Sequence, residues 1–395
     1  MQPLLDGPRA GLTEDQVRAL LQSHSSIRFA YGADALDENF ALVADISDYV
    51  SGGGSVVSDS TRAVHRTCTL NIDATVTDTG WSYLSGYVRP WTSITDMATG
   101  LTARFNEGVY TLPSAPTPLG QTPAMLQFSG YDLIYLLRQE VGDSYEVPAG
   151  SDPAVAAATV IELAIPGVTV NVSASGSTTT TQLSWPFDAS QPTLWSDIVS
   201  VLLKSIGYRD AWVDWDGTFR IEPWTDLQLA QPEWVFDRAA DDSIVAASTS
   251  RDIDLYTVPN WWKFVMANLT DLPVEGVTMY TVTDASAVNL GSSMNRKRIQ
   301  RHIEQVSATS YTDLVNYANK AITASLKPTE TLSASTQPFP LAWHYDVLQY
   351  LDQNLPGDAE RRAVATGWTL PLDGASDMTW TWETITDQTA VLGLA

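Results

Sequence analysis

Between Ile27 and Phe128, turn-forming residues recur about every 8 to 12 positions, and the runs between them mix apolar with polar side chains. The runs are SIRFAYG, FALVADISDYV, RAVHRTCTLNIDATV, GYVRPWTSI, LTARFNEGVYTL and AMLQFSG. A period of two puts successive side chains on opposite faces of a strand, so such runs bury one face and wet the other. Short strands at this spacing indicate a β-barrel or sandwich. The glycine run SGGGS (Ser51 to Ser55) falls inside this unit and reads as a loop, because strand-like sequence resumes at once.

Helical signals interrupt the pattern. Thr13 to Gln16 (TEDQ) fits a capping box, with Leu12 and Val17 as a hydrophobic staple and Val17, Leu20 and Leu21 on one face of a helix ending near Ser23. Tyr131 to Val141 reads as a helix on the spacing of Leu133, Leu136 and Leu137. Asp152 to Ile165 reads as a second, stopped by Pro166-Gly167. The polar tract Asn171 to Gln182 is an exposed loop or weak edge strands. A third helix carries Leu194, Trp195, Ile198, Val199, Leu202, Leu203 and Ile206 on one stripe, and Gly207 supplies a left-handed stop.

Ile253 to Leu269 reads as strand interrupted at Pro259-Asn260, followed by a basic cluster at Asn295 to Glu304. The helix Ser310 to Leu326 aligns Leu314, Tyr317, Ala318 and Ile322, and at least three strands close the chain. The predicted class is mainly β with inserted helices (α+β), with two β-barrel-like units and smaller α+β domains. The expected divisions are a helical arm at 1–26, a first β-barrel domain at 27–130, and an inserted α+β domain at 131–240. Residues 241–395 return to the barrel and then form a second β unit with the helix at 310–326.

Charge narrows the partners. The 395 residues carry 46 acidic against 22 basic side chains, a net charge of -24, and the lysines are Lys204, Lys263, Lys297, Lys320 and Lys327. Such a surface repels phosphate backbones and anionic headgroups, so neither specific nucleic-acid binding nor membrane insertion is expected, although DNA could pass without being held. The single cysteine, Cys68, has no internal disulfide partner and reads as a buried structural thiol. No secretory signal is visible at the N-terminus, and no apolar run approaches the ~20 residues of a membrane span. The chain is expected to be made in soluble form in a cytoplasm.

The stretch AWVDWDGTFRIEPW (Ala211 to Trp224) has two aspartates and a glycine where chemistry could sit. A three-residue loop, Trp215-Asp216-Gly217, with Gly217 left-handed, pairs Val213 with Phe219 and Ala211 with Ile221 and sorts the faces. Trp212 then lies opposite Arg220 on the outer face, a cross-strand aromatic and cation pair. The turn accounts for Asp216 and Gly217 without a metal, and the spacing of an EF-type calcium loop is missing.

His24, His65, His302 and His344 are scattered without ligand spacing, and P-loop, dinucleotide and G-x-S-x-G signatures are missing. Two carboxylates suffice for a glycosidase, which leaves that reading open, while the 14 Trp read chiefly as core and contact residues. The Arg296 to Arg301 cluster reads as intersubunit ion pairing in preference to DNA contact. No catalytic, cofactor-binding or metal residue is predicted. The residues singled out are structural: Asp216 and Gly217 in the turn, and Leu194, Ile198, Leu202 and Ile206 in the helix stripe.

The order of these segments resembles the tail-hub family of tailed bacteriophages, the baseplate hub and minor tail proteins of the tail tip. The resemblance spans roughly residues 27 to 388. RAVHRTCTLNI, LSGYVRPWTSI and RFNEGVYTLPS resemble the first barrel, and FSGYDLIYLLRQ the helix start that leaves it. LWSDIVSVLLKSIGYRDAWVDWDGTFRIEPW, a helix, an x-I-G-Y stop and a D-x-D-G hairpin ending in Pro, is the most specific match. DIDLYTVPNWWKFV resembles the return into the barrel, though NWWKF departs from the more usual Arg and Val after Asn. YTDLVNYANKAI and HYDVLQYL resemble the closing helix and strand.

The resemblance implies a non-catalytic structural virion protein at the tail tip. It implies a homotrimer whose barrels ring the DNA exit channel and join the tail tube to fibre or spike machinery, with the distal tail protein and the tape measure protein as neighbours. Some members carry a hydrolase domain after the hub, and none is expected before Ala395. A receptor- or glycan-binding tail protein and a cell-wall glycosidase remain as alternatives.

Overall fold

The computed structural model describes the chain except for residues 6–8, 10, 24–26, 83, 114–124, 180–181, 225–229, 241–242, 255–257, 268–271, 286–291, 307–310, 326–328, 344, 354–359 and 386–395. His24, His344 and the ends of the helix expected at Ser310 to Leu326 lie outside the described residues. Helix α1 (Glu14–Gln22) begins with the expected box: the Thr13 N–H donates to Gln16 Oε1 at 2.8 Å and the Gln16 N–H to Thr13 Oγ1 at 3.2 Å. Its buried face is Val17, Leu20 and Leu21.

Strands β1 (Ile27–Leu36), β2 (Leu42–Asp45), β3 (Val50–Asp59), β4 (Arg66–Asp73), β5 (Tyr87–Asp96), β6 (Thr102–Asn106), β7 (Tyr110–Thr111) and β8 (Met125–Asp132) follow. β1 pairs antiparallel with β5 from Ile27 opposite Asp96 to Leu36 opposite Tyr87, and β4 lies between β3 and β8. β4 alternates cleanly, burying Arg66, Cys68, Leu70 and Ile72. Burial pushes the Cys68 thiol pKa well up, which makes it inert. SGGGS is not a loop but a bulged part of β3, since the register shifts between Ser51 and Ser55. Glycine is required there: Gly53 has φ +95°, and a Cβ on Gly54 would sit 2.4 Å from the Thr69 carbonyl oxygen.

The helix expected over Tyr131 to Val141 is a single 3-10 stretch, Leu133–Arg138. Tyr131 and Asp132 instead finish β8, because the Asp132 carboxylate accepts the Arg66 N–H on one oxygen (2.9 Å) and the Ile134 N–H on the other (3.1 Å). That bridge holds Asp132 extended, so the helix starts only after it. Next come β9 (Tyr145–Val147), α2 (Pro153–Ala164), β10 (Val170–Val172), β11 (Leu183–Trp185), α3 (Trp195–Ser205), β12 (Trp212–Val213) and β13 (Phe219–Ile221). Asp152 caps α2 through the Ala154 N–H at 2.8 Å, with Pro153 in the first turn. Gly207 ends α3 at φ +68°. The polar tract begins in β10, which pairs parallel to β13.

The remaining elements are β14 (Trp234–Asp237), β15 (Val245–Asp254), β16 (Trp261–Met266), β17 (Met279–Thr283), α4 (Ser293–Arg296), β18 (Arg301–Val306), α5 (Tyr311–Ser325), β19 (Thr329–Thr336), β20 (Val347–Leu351), β21 (Glu360–Leu372) and β22 (Met378–Thr384). The class is mainly β with inserted helices, as expected. No closed barrel is found among the described residues: the largest sheet runs as an open path, β15-β19-β22-β21-β3-β4-β8-β7-β5-β1-β2. One end, β2, is four residues long and pairs with β1 alone among the described residues. The closing strands extend the first sheet, because β21 pairs with β3 from Gly367 opposite Asp59 to Leu372 opposite Gly54.

Two units divide the chain. One comprises Met1–Ser248, Ala334–Glu360 and Ala365–Thr381; the other comprises Thr249–Ser333, Arg361–Val364 and Trp382–Ala395. The first holds a core in which α2 and α3 pack with the β12–β13 hairpin, around Val160, Ile161, Ile198, Leu202 and Phe219. The second holds the sheet β17-β16-β18 with α5 on one face, burying Trp262, Phe264, Val306, Leu314 and Ala318.

Candidate functional site

The Ala211 to Trp224 hairpin pairs Val213 with Phe219 and Trp212 with Arg220, the expected register. The Gly217 N–H donates to the Asp214 carbonyl at 3.1 Å and the Asp214 N–H to the Thr218 carbonyl at 2.9 Å, with Gly217 at φ +88°. Ala211, Val213, Phe219 and Ile221 all face the α2–α3 core.

The other face departs from expectation. Trp212 is not outside but 8% exposed, clustered with Trp215 and Trp343, and the Trp343 indole N–H donates to the Val213 carbonyl at 3.2 Å. Arg220 donates to Asp214, its Nε 2.8 Å from Oδ2, and the Arg209 guanidinium carbon lies 5.3 Å from the Trp212 ring centroid.

Asp214 organises the turn. Its Oδ1 accepts the N–H groups of Asp216 (3.0 Å) and Thr218 (2.9 Å), and its Oδ2 accepts from Arg220. Burial raises its pKa, and the Thr218 N–H and Arg220 oppose that rise. Asp216 instead ties the turn to the sheet, accepting from Asn106 Nδ2 at 2.6 Å. The Gly108 N–H donates to the Trp215 carbonyl at 3.1 Å, and a Cβ on Gly217 would lie 2.8 Å from Val109 Cγ2.

Beneath the hairpin sits Arg66, 1% exposed. It donates to the carbonyls of Val213 (3.0 Å), Asp214 (3.5 Å) and Glu107 (3.4 Å), and its guanidinium carbon lies 3.7 Å from the Trp343 ring centroid. Glu107 is fully buried and accepts from the Thr92 hydroxyl at 2.6 Å; burial pushes its pKa to about 8, with Thr92 and the nearby arginines opposing. Burial likewise moves Asp132 to about 6. A polar network this enclosed holds chain segments together.

A concavity of about 590 Å³ opens beside the hairpin, lined among others by Arg209, Trp212, Trp215, Glu222, Glu233 and Tyr345. Its carboxylates already have cations: Glu222 pairs with Arg209, and Glu233 and Asp346 both pair with the Met1 ammonium. Burial raises Asp346 to about 7 despite that ammonium. Gln2 laces the same segment in place, its side-chain amide donating to the carbonyls of Asn106 (2.9 Å) and Pro340 (2.8 Å). Among the described residues no group of three or more His, Cys, Asp and Glu side chains could hold a metal, and no helix is long and apolar enough to cross a membrane.

Of the α3 stripe, Ile198 and Leu202 are fully buried, while Leu194 and Ile206 are half-buried at the helix ends. The Leu194 N–H donates to the Asp197 carboxylate at 3.1 Å. Asp214, Arg66 and Glu107 carry the junction, and sequence reasoning singled out none of them. Arg66 left one signal, a charged residue at an inward position of an alternating strand.

The open mainly-β architecture with a helix-and-hairpin insert recurs in solved tail proteins. The chain shares the fold of a tail protein from Neisseria meningitidis MC58 at a TM-score of 0.54 and 14% identity, covering 91% of this chain and 97% of that one. It likewise shares the fold of the 43 kDa tail protein of prophage MuSo2 from Shewanella oneidensis, with a TM-score of 0.55, 11% identity and coverage of 91% and 98%. A chain of the Francisella PdpA-VgrG complex aligns at a TM-score of 0.56 and 10% identity over 94% of this chain, which spans 55% of that one.

No family model matches. A 59-residue stretch is 39% identical to a mitochondrial glutamyl-tRNA(Gln) amidotransferase polypeptide from Paracoccidioides brasiliensis, covering 15% of this chain and only 10% of that protein. The likeness to these tail proteins is one of fold.

Proposed function

We propose that this chain is a non-catalytic structural component of a phage-type tail, the trimeric hub at the tail tip. In that role three copies ring the DNA exit channel and join the end of the tail tube to fibre or spike components. The distal tail and tape measure proteins are its neighbours, and the chain reaches the virion from the host bacterial cytoplasm. One observation carries the reading: near end-to-end agreement in fold with two tail proteins, covering 91% of this chain and 97–98% of each of them. A short shared motif would not produce agreement of that extent.

Two features support it. The junction around Arg66 spends its buried charges on main-chain carbonyls, which suits a rigid scaffold. Three copies would bring three times -24 charges around a channel, and a negative lining lets DNA leave without being gripped.

The test is an amber mutation in the gene of a producing phage. Expected are particles with defective tails and no infectivity, restored when the chain is supplied in trans, and threefold density for it at the tail tip by electron microscopy. Tails that assemble normally without the chain would sink the reading.

A further inference from the structure

The sheet β17-β16-β18 has two unlike faces. α5 covers the one bearing Trp262, Phe264 and Val306. Alternation puts Trp261, Lys263 and Val265 of β16 on the other, and the parallel register sets Arg301, Ile303 and Gln305 of β18 beside them. This face is open: Ile303 is 64% exposed, Arg301 and Gln305 are exposed, and the β16 residues are half-buried. The Arg301 guanidinium carbon lies 5.7 Å from the Trp261 ring centroid. None of the strand positions on this face is acidic; Glu275, held by the Thr281 N–H and hydroxyl at 2.9 Å each, is a carboxylate at the β17 margin.

Arg296, Lys297 and Arg298 lie shortly before β18 in the sequence, so basic residues cluster in this segment of a chain of net charge -24. The surface that fits is therefore acidic with an apolar centre, and the chain itself carries one. At the terminal strand β2, Leu42 and Val43 are 61% and 42% exposed, with the exposed carboxylates Glu38 and Asp45 on either side.

We propose that the Trp261–Lys263–Arg301–Ile303 face docks the acidic β2 edge of a second copy of this chain, apolar centre against apolar centre and cations against carboxylates. Different surfaces meet in such a contact, and a contact of that kind closes into a ring or runs on as a filament. DNA is the disfavoured occupant, because the whole chain repels a phosphate backbone while only this face attracts it. The inference rests on the reading of the chain as an assembling tail component and names a surface for it.

Sedimentation velocity of the full chain over a range of concentrations tests it. The wild type should self-associate, with Kd weakening about tenfold or more between roughly 0.05 and 0.5 M salt. Lys263→Glu/Arg301→Glu and, separately, Glu38→Lys/Asp45→Lys should each weaken association about tenfold at low salt with melting unchanged, and Ile303→Ser should weaken it at all salt concentrations. Mixing the two charge-reversed variants should restore association.

A monomeric wild type, or reversed variants that associate as the wild type does, would overturn the proposal. So would a wild type that stays monomeric but binds a fluorescein-labelled DNA duplex through Lys263 and Arg301. Variants that enter tails normally and show threefold density would remove this face and leave the tail reading standing; absence of the wild-type chain from tails would remove the reading itself.

Discussion

Two arginine–tryptophan pairs in this chain have the same chemistry and opposite surroundings. Arg66 lies 3.7 Å above the Trp343 ring, 1% exposed, with its N–H groups on three main-chain carbonyls. Arg301 lies 5.7 Å from the Trp261 ring on an exposed sheet face. Enclosure makes the first a fastener, since removing it leaves buried acceptors without donors. Exposure leaves the second little to do for folding, because water serves its donors as well as protein does. A charged residue's place in the fold, more than its type, decides whether it serves stability or recognition.

That contrast can be broken by substitution. Arg66→Met should cost the most, about 3 to 5 kcal/mol in urea unfolding, through the stranded carbonyls of Val213, Asp214 and Glu107. A loss below about 1 kcal/mol would mean the stack on Trp343 matters little and the fastener description is wrong. Gly217→Val should follow at about 2 kcal/mol or more, because φ is +88° and the new Cβ meets Val109 Cγ2 at 2.8 Å. Wild-type melting in that variant would contradict the turn geometry.

The pH response sharpens the contrast further. Burial raises Glu107 from 4.5 to about 8, so the native protein keeps a proton that the unfolded chain has released across that window. Its contribution to stability is therefore full below pH 4.5 and is lost as pH rises toward 8; Asp132 and Asp346, raised to about 6 and about 7, act in the same sense over lower windows. Glu107→Gln should flatten the upper part of the profile and be more stable than wild type at pH 9 by about 1 kcal/mol or more. Parallel profiles for the two proteins would rule Glu107 out as the source. The smallest effect belongs to the open face: Lys263→Glu/Arg301→Glu should shift unfolding by no more than about 0.5 kcal/mol. A larger loss would show that this pair, too, is part of the fold.

Much of the architecture was legible along the chain, where neighbours in sequence decide the outcome. The spacing of turn-formers announced the strands, the alternation of Val213, Phe219, Ala211 and Ile221 set the hairpin register, and Thr13, Asp152 and Gly207 marked helix ends. The SGGGS bulge and the short 3-10 stretch at Leu133 were misread because their causes lie across the sheet, in Thr69 and in the Arg66 N–H.

The junction was hidden for the same reason. Asp214 and Asp216 look alike in sequence, and only the packed hairpin gives the first two turn N–H groups and Arg220, and the second Asn106. Trp212 belonged to the outer face by alternation, yet Trp343, over a hundred positions on, covers it. Periodicity tells which residues share a face of their own element. What lies against that face depends on contacts between segments far apart in the chain, and these exist only once the tertiary structure has brought the segments together.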